Sequence, residues 1–310
     1  MKKFYFLTTL LFVVFLAISQ EKLYVYQKDG SITEFYCSNV DSVSLMQEFV
    51  PYTPGENDGE DENENEDEDE NDDTLKLFSI NPVDKVLFSP GNLQYHPVKD
   101  EWRFALDQTE HIGNDNANIS PNYYGWIDLF GWGTGYEPTK TSIAYEDYCT
   151  FVDWGVNKIG DDEPNTWRSL TIDEWVYLLN SRENASDLIA IGRVKGNNGV
   201  ILLPDNWVCP EGVIFKTGFA ADDYEYSAFQ VITEPEWEVI EASGAIFLPA
   251  TGYRKGVTIY ELQESYRYWV GYWHMTTTAG MFYGTAKGAE ITYTYPFDGL
   301  AVRLVSTQTF

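Results

Sequence analysis

WRSLTIDEWVYLLNSR (Trp167–Arg182) is the stretch whose reading decides the fold. Ile172, Trp175, Val176, Leu178 and Leu179 recur at helical spacing, so one face of a short helix is apolar. Ser169 or Thr171 stands where a helix is capped, and Thr171-x-x-Glu174 is a capping box. Its carboxylate satisfies an orphan backbone N–H, at the end where the helix dipole favours negative charge. Arg182 suits the opposite end. A second helix follows the same rule downstream. Thr233 caps, Pro235 takes an early position, Glu236 completes the box, Trp237, Ile240 and Glu241 continue it, and Gly244 stops it.

Strands surround these helices. Phe78–Ile80 and Lys85–Ser89 read as a pair about the Asn81-Pro82 turn, and Trp102–Ala105 as a further short strand. Val194 and Val200–Leu203 flank a glycine-rich turn, and Ala245–Leu248 is an apolar strand. From Tyr266 to Val305 the pattern is successive strands. Ile291, Tyr293 and Tyr295 alternate with Thr292 and Thr294, and Leu300, Val302 and Leu304 alternate with Ala301, Arg303 and Val305. Residues 113–162 are dense in Gly, Asn, Asp and aromatics and read as a long ordered loop, pinned by Tyr123, Tyr124, Trp126, Phe130, Trp132 and Tyr136. No parallel βαβ series is present, so the expected class is α+β with antiparallel sheet.

The sequence W-R-S-L-T-I-D-E-W-V-Y-L-L resembles the W-R-L-P-T-x-x-E-W-x-x-L motif of two related groups, the formylglycine-generating sulfatase-modifying family and the Fibrobacter succinogenes major paralogous domain. Tyr268-Trp269-Val270-Gly271 is similar to their YWSS/YWTS strand, departing at Val270 and Gly271. Gly299–Val305 (GLAVRLV) is similar to their closing GFSVRCV strand, with Leu304 where that family often has Cys. Residues 78–305 as a whole resemble a group of secreted Bacteroidetes proteins. The resemblance implies a C-type-lectin-like domain with two helices on a twisted antiparallel sheet. It carries over no activity, since the family's chemistry uses cysteines near the end of the fold and no Cys follows Cys209.

The modular layout comes from composition. Lys2 and Lys3 precede an apolar run, Phe4 to Ile18, followed by small residues; residues 1–19 read as a signal peptide cut after Ser19. About 15 apolar residues fall short of the roughly 20 a membrane span needs, and no later stretch is longer, so an exported chain (periplasmic, cell-surface or extracellular) without a membrane span is expected. Residues 20–50 form a small β-strand unit: Leu23–Tyr26, the Lys28-Asp29-Gly30 turn, Ile32–Tyr36, and Val40–Leu45 as a third strand. Residues 51–75 are an acidic, disordered linker; Glu56–Asp73 holds 13 acidic residues of 18 and cannot bury apolar surface. Residues 76–310 form the large domain. A net charge of −29 repels phosphates and excludes nucleic acid as a partner. The odd set Cys37, Cys149 and Cys209 is expected as three unpaired, mostly buried thiols, with a Cys149–Cys209 bond as the alternative.

No catalytic, metal or cofactor constellation is expected. His96, His111 and His274 lack ligand spacing. Glu163-Pro164-Asn165 spells the tripeptide of calcium-dependent lectins but precedes the first helix instead of following both, so it reads as a chance loop. Asp173 or Asp298 beside Arg303 would be the carboxylates of a cysteine-independent enzyme, if a cleft gathered them. The crowd of rings from Tyr253 to Tyr283 offers stacking surfaces for sugars or proteins. Tyr272, Trp273, His274 and Tyr283 are the expected ligand-binding residues. The expected function is an exported, non-enzymatic binding module for a glycan or protein ligand; the alternatives are a structural or adhesive surface subunit, or the cysteine-independent enzyme.

Overall fold

The computed structural model describes residues 22–26, 32–36, 76–220, 225–275 and 277–307, with the side chains of 272–275 left aside. The chain divides into two units, Met1–Glu66 and Asp67–Phe310. In the first, β1 (Lys22–Tyr26) and β2 (Ile32–Tyr36) pair antiparallel, Leu23 opposite Phe35, as the turn signal between them requires. The expected third strand, the signal peptide, the acidic linker and Cys37 lie outside the described residues.

The second unit is mixed α+β, mostly small sheets with few helices and no closed barrel among the described residues. β3 (Phe78–Ser79) pairs with β4 (Lys85–Phe88) across a turn in which the Asn81 side chain accepts the N–H groups of Val83 and Asp84. β5 (Leu93–His96) pairs with β6 (Glu101–Phe104). α1 (Ile172–Val176) begins at Thr171 with both arms of the capping box formed, and Arg168 clasps Glu174 at 2.7 and 2.8 Å. Its expected continuation to Arg182 is not α-helical: Tyr177–Ser181 form a single π turn. Val176, expected on the apolar face, is exposed.

Beyond it, β7 (Ile189–Val194) and β8 (Asn197–Leu202) make a hairpin. α2 (Tyr226–Phe229), a four-residue helix the periodicity does not signal, leads to β9 (Val231–Ile232). β9 lies parallel to β7 over two residues, the one parallel strand pair in an otherwise antiparallel set among the described residues. α3 (Glu234–Ala242) is the second capped helix, ended at Gly244 (φ 95°). β10 (Ile246–Pro249) completes the β10-β8-β7-β9 sheet. β11 (Tyr253–Lys255) and β12 (Thr258–Tyr260) form a hairpin to which β16 (Asp298–Gly299) adds. β13 (Tyr266–Met275), β14 (Thr278–Thr285) and β15 (Gly288–Thr294) form an antiparallel meander, and β17 (Val305–Ser306) pairs with β4.

Three apolar clusters hold these sheets. One gathers Phe88, Trp175, Leu178, Val200, Tyr268, Val270 and Phe282, with Trp175 stacked on Phe282 at 4.6 Å. A second is aromatic, built on Trp102, Phe130, Trp132, Trp154, Trp167, Trp269 and Met281. The third lies under α3, around Trp237, Ile240, Ile201 and Phe247. Residues 300–305 separate the first two. Leu300, Val302 and Leu304 enter the second cluster, whereas Ala301 and Val305 enter the first. The two-residue alternation expected of a half-exposed strand is therefore present, but both faces are buried. Most of this run pairs by isolated bridges, Leu300 with Phe130 and Ala301 with Tyr268, instead of a continuous ladder. In the long loop Phe130 and Trp132 are buried pins as expected, while Tyr124 and Tyr136 point outward. No described helix is long and apolar enough to cross a membrane.

Candidate functional site

A turn at residues 261–265 builds a wide concavity. It joins β12 to β13, and both Glu261 (φ 54°) and Gln263 (φ 64°) adopt the left-handed conformation that side chains disfavour. Neighbours hold it there. Gln263 N–H donates to the Ala250 carbonyl at 2.8 Å, Gly252 N–H to Ser265 at 2.9 Å, and the Tyr226 hydroxyl on α2 to the Glu264 carbonyl at 3.2 Å. Asn198, on β8, clamps Gln263 twice: its N–H donates to Oε1 at 2.7 Å and its side-chain amide to the Gln263 carbonyl at 2.8 Å. Backbone held in sparsely populated regions by so many bonds is a recurrent property of ligand sites.

Over this turn lies a cleft of about 650 Å³, lined by Arg193, Asn198, Glu225, Tyr226, Ser227, Glu261, Gln263, Glu264, Ser265, Tyr283, Thr285 and Lys287. No Ala, Val, Leu, Ile, Met, Phe or Trp is among these residues, and its rings come from two tyrosines. Tyr283, on β14, stands opposite Arg267 on β13. The Arg267 guanidinium lies between two rings, 4.9 Å from Tyr283 and 4.3 Å from Tyr253, and Tyr253 in turn stacks on Tyr260 at 5.2 Å. Glu261 and the Ser265 hydroxyl anchor the guanidinium at 2.5 and 3.1 Å. The Tyr283 ring thus meets Arg267, lines the cleft and also packs against the second apolar cluster. Burial pushes the Tyr226 phenol well above its usual value, which keeps it a neutral donor.

Of the expected ligand-binding residues, Tyr283 lines this cleft. Tyr272, Trp273 and His274 lie on β13, but their side chains fall outside the described residues. The backbone does not gather the four: His274 pairs with Ala279, four residues along β14 from Tyr283, roughly 13 Å away. Asp298 and Arg303 do not meet either. The Thr294 hydroxyl donates to Asp298 at 2.5 Å, and burial lifts the carboxyl above its usual range. Arg303 donates to Asn92 and Gln108 at 3.3 and 2.7 Å, and burial lowers it to about 10. Asp173 is exposed on α1. Glu163-Pro164-Asn165 is an exposed turn. Cys149 and Cys209 are unbridged, but the expectation that they are buried fails: both are exposed, because each sits on an irregular segment at the surface. Cys149 lines a smaller cavity of about 300 Å³ with Trp132, Tyr136, Glu137 and Lys140.

Asn198, Tyr226, Glu261, Gln263 and Arg267 are absent from the sequence expectations. Glu261-Leu262-Gln263 contains none of the residues that mark a turn, and only the tertiary clamp reveals it. The class these features define is a mixed α+β body carrying a polar, tyrosine-edged cleft. No family model, curated protein or solved structure matches the chain.

Proposed function

We propose that the large unit is a non-enzymatic binding module of C-type-lectin-like build, carried on an exported chain, and that its ligand is a glycan seated in the cleft beside Tyr283. The observation that carries this reading is the lining of the cleft. Ligand pockets are usually lined mostly by hydrophobic and aromatic residues, whereas apart from its two tyrosines this one is lined by polar and charged residues. It offers carboxylates as acceptors, and hydroxyls and Arg193 as donors, around a tyrosine ring. A polyhydroxylated ring both donates and accepts and has a flat face to stack, so it matches that set. A protein ligand is the second reading; the exposed rings of Tyr124 and Tyr136 favour it. The structural subunit and the cysteine-independent enzyme have no comparable support, because the carboxylates named for the enzyme lie apart from the cleft.

Titration of the full chain against a glycan array, followed by calorimetry on any hit, tests the reading. Tyr283→Ala should weaken a hit at least tenfold while the variant still melts cooperatively as the parent does. Silence across the array, or a hit indifferent to Tyr283→Ala and Asn198→Ala, would sink it.

A further inference from the structure

We propose that His111 is a proton-operated latch on the turn that walls the cleft, holding the Gln263 side chain, and with it the acceptor of the Asn198 N–H, in place only while its Nε2 is unprotonated. This deepens the binding reading and rests on it for its purpose, though not for its test.

Hydrogen-bond accounting leads there. The side-chain amide of Gln263 has only one permissible orientation, because the Asn198 N–H donates to its Oε1 at 2.7 Å. Reversing the amide would set an NH₂ against that N–H. Gln263 Nε2 is therefore a donor, and it faces His111 Nε2 at 2.8 Å and the Asn197 Oδ1 at 3.4 Å. His111 Nε2 must accept through its lone pair, which puts the ring proton of the neutral imidazole on Nδ1. That Nδ1 is buried and has no hydrogen-bond partner.

A second proton on the ring changes this pattern. It puts an N–H on Nε2, pointing at an NH₂ 2.8 Å away, so two donors oppose each other. Asn197 Oδ1, 3.3 Å from Nε2, can take the new proton. Gln263 cannot follow by rotating, since its oxygen is held. The exchange of partners displaces Gln263, and with it the acceptor of the Asn198 N–H. Glu261, two residues back on the same turn, anchors Arg267 between Tyr253 and Tyr283. The latch is thus tied to the ring that edges the cleft. The ionisable groups on the elements around His111 are Glu110 beside it, Asp115 on the following one-turn helix, Asp128 on the segment behind, Glu261 and Glu264 on the turn, and Arg193 on the strand next to β8. Carboxyl groups predominate and can accommodate the imidazolium charge, so protonation upsets the hydrogen-bond pattern and not the charge balance. Histidine is the side chain suited to such a change between pH 5 and 8.

Amide hydrogen exchange on the full chain tests the latch without any ligand. After correction for the intrinsic rate, the Asn198 amide should exchange at least tenfold faster at pH 5.5 than at pH 7.5, and His111→Gln should abolish that dependence. Equal protection of Asn198 at both pH values in the parent, or an undiminished pH effect in His111→Gln, overturns the proposal. Nitrogen-15 spectra of the parent at pH 7.5 provide a measurement that needs no variant: the His111 ring should carry its proton on Nδ1, and an Nε2–H tautomer overturns the proposal. If Asn198 responds as expected while the glycan array stays silent, the binding reading falls and the latch stands.

Discussion

Replacing Arg267 by methionine removes the guanidinium that holds the tyrosine stack together while keeping an apolar stem of similar length. Two ring contacts go, at 4.3 and 4.9 Å, each worth about 0.5–1 kcal/mol in a partly desolvated setting. The charge-assisted hydrogen bond to Glu261 goes too, worth roughly 1.5–3 kcal/mol. Glu261 keeps 37% side-chain exposure, so water takes up its carboxylate and the full penalty of an abandoned buried charge, about 3–5 kcal/mol, does not arise. The methionine stem keeps part of the ring contact, so the expected loss lies at the low end of these terms, about 2–3 kcal/mol. In urea unfolding followed by tryptophan fluorescence this lowers the midpoint by roughly 1 M, for a slope of about 2–3 kcal/mol/M. Arg267→Lys retains the charge but not the planar group that fits between two rings, and should recover no more than half the loss. A double-mutant cycle with Tyr283→Ala should return a coupling of about 0.5–1 kcal/mol. A loss below 0.5 kcal/mol for Arg267→Met, or a lysine variant as stable as the parent, would refute the stacked arrangement as the support of the cleft.

Other outcomes follow from the same geometry. Asp205→Asn strips the counter-charge from Arg182, whose side chain is 3% exposed, and should cost about 3–5 kcal/mol by urea unfolding. Burial lifts the Asp205 carboxyl, but Ser79 through its hydroxyl and N–H, together with Lys85, outweighs this and holds it below the usual carboxylate range. Its stabilisation is therefore complete above the unfolded value of about 4 and is lost as pH falls through the folded one, so the gap between parent and Asp205→Asn should close in acid. Gly252→Ala should prevent folding to the native state or melt at a far lower temperature, because a Cβ there would lie 2.0 Å from the Tyr260 carbonyl oxygen at a φ of +62°. A thiol reagent should label Cys149 and Cys209 rapidly in the native protein, as mass spectrometry of digested peptides would record; resistance at either would contradict its exposure.

Much of the fold was written locally. Both capping boxes, Thr171 with Glu174 and Thr233 with Glu236, formed as their spacing required, because a cap needs only four consecutive residues. The hairpin across Asn81 was equally local; the next was legible too, but its turn is Lys195-Gly196 instead of the expected Gly196–Gly199, because Asn197 already pairs with Val194. What escaped was set by distance in the chain. The π turn at 177–181 replaces a helix whose periodicity looked continuous, and it carries the chain toward Arg182, whose three guanidinium nitrogens donate separately to the Leu178 carbonyl, Asp205 and the Leu188 carbonyl. The cleft escaped for the same reason. Tyr283 was read from its place in a ring-rich strand, but Asn198 and Gln263 lie 65 residues apart and announce nothing until β8 and the turn meet. Exposure of the two cysteines escaped because residue type predicts average burial, and these two sit on segments without regular structure.

The run from Leu300 to Val305 has a further consequence. It is the common wall of two apolar clusters, and its carbonyls receive the N–H groups of Ser89, Leu93, Phe130, Arg168 and Trp269. The segments at Ser89 and Leu93 thus wait for a stretch made some two hundred residues later before these hydrogen bonds can close. Synthesis halted upstream of residue 300 would leave not a shorter working module but an open half-shell, sticky on two sides, and quality-control proteases would meet it as such.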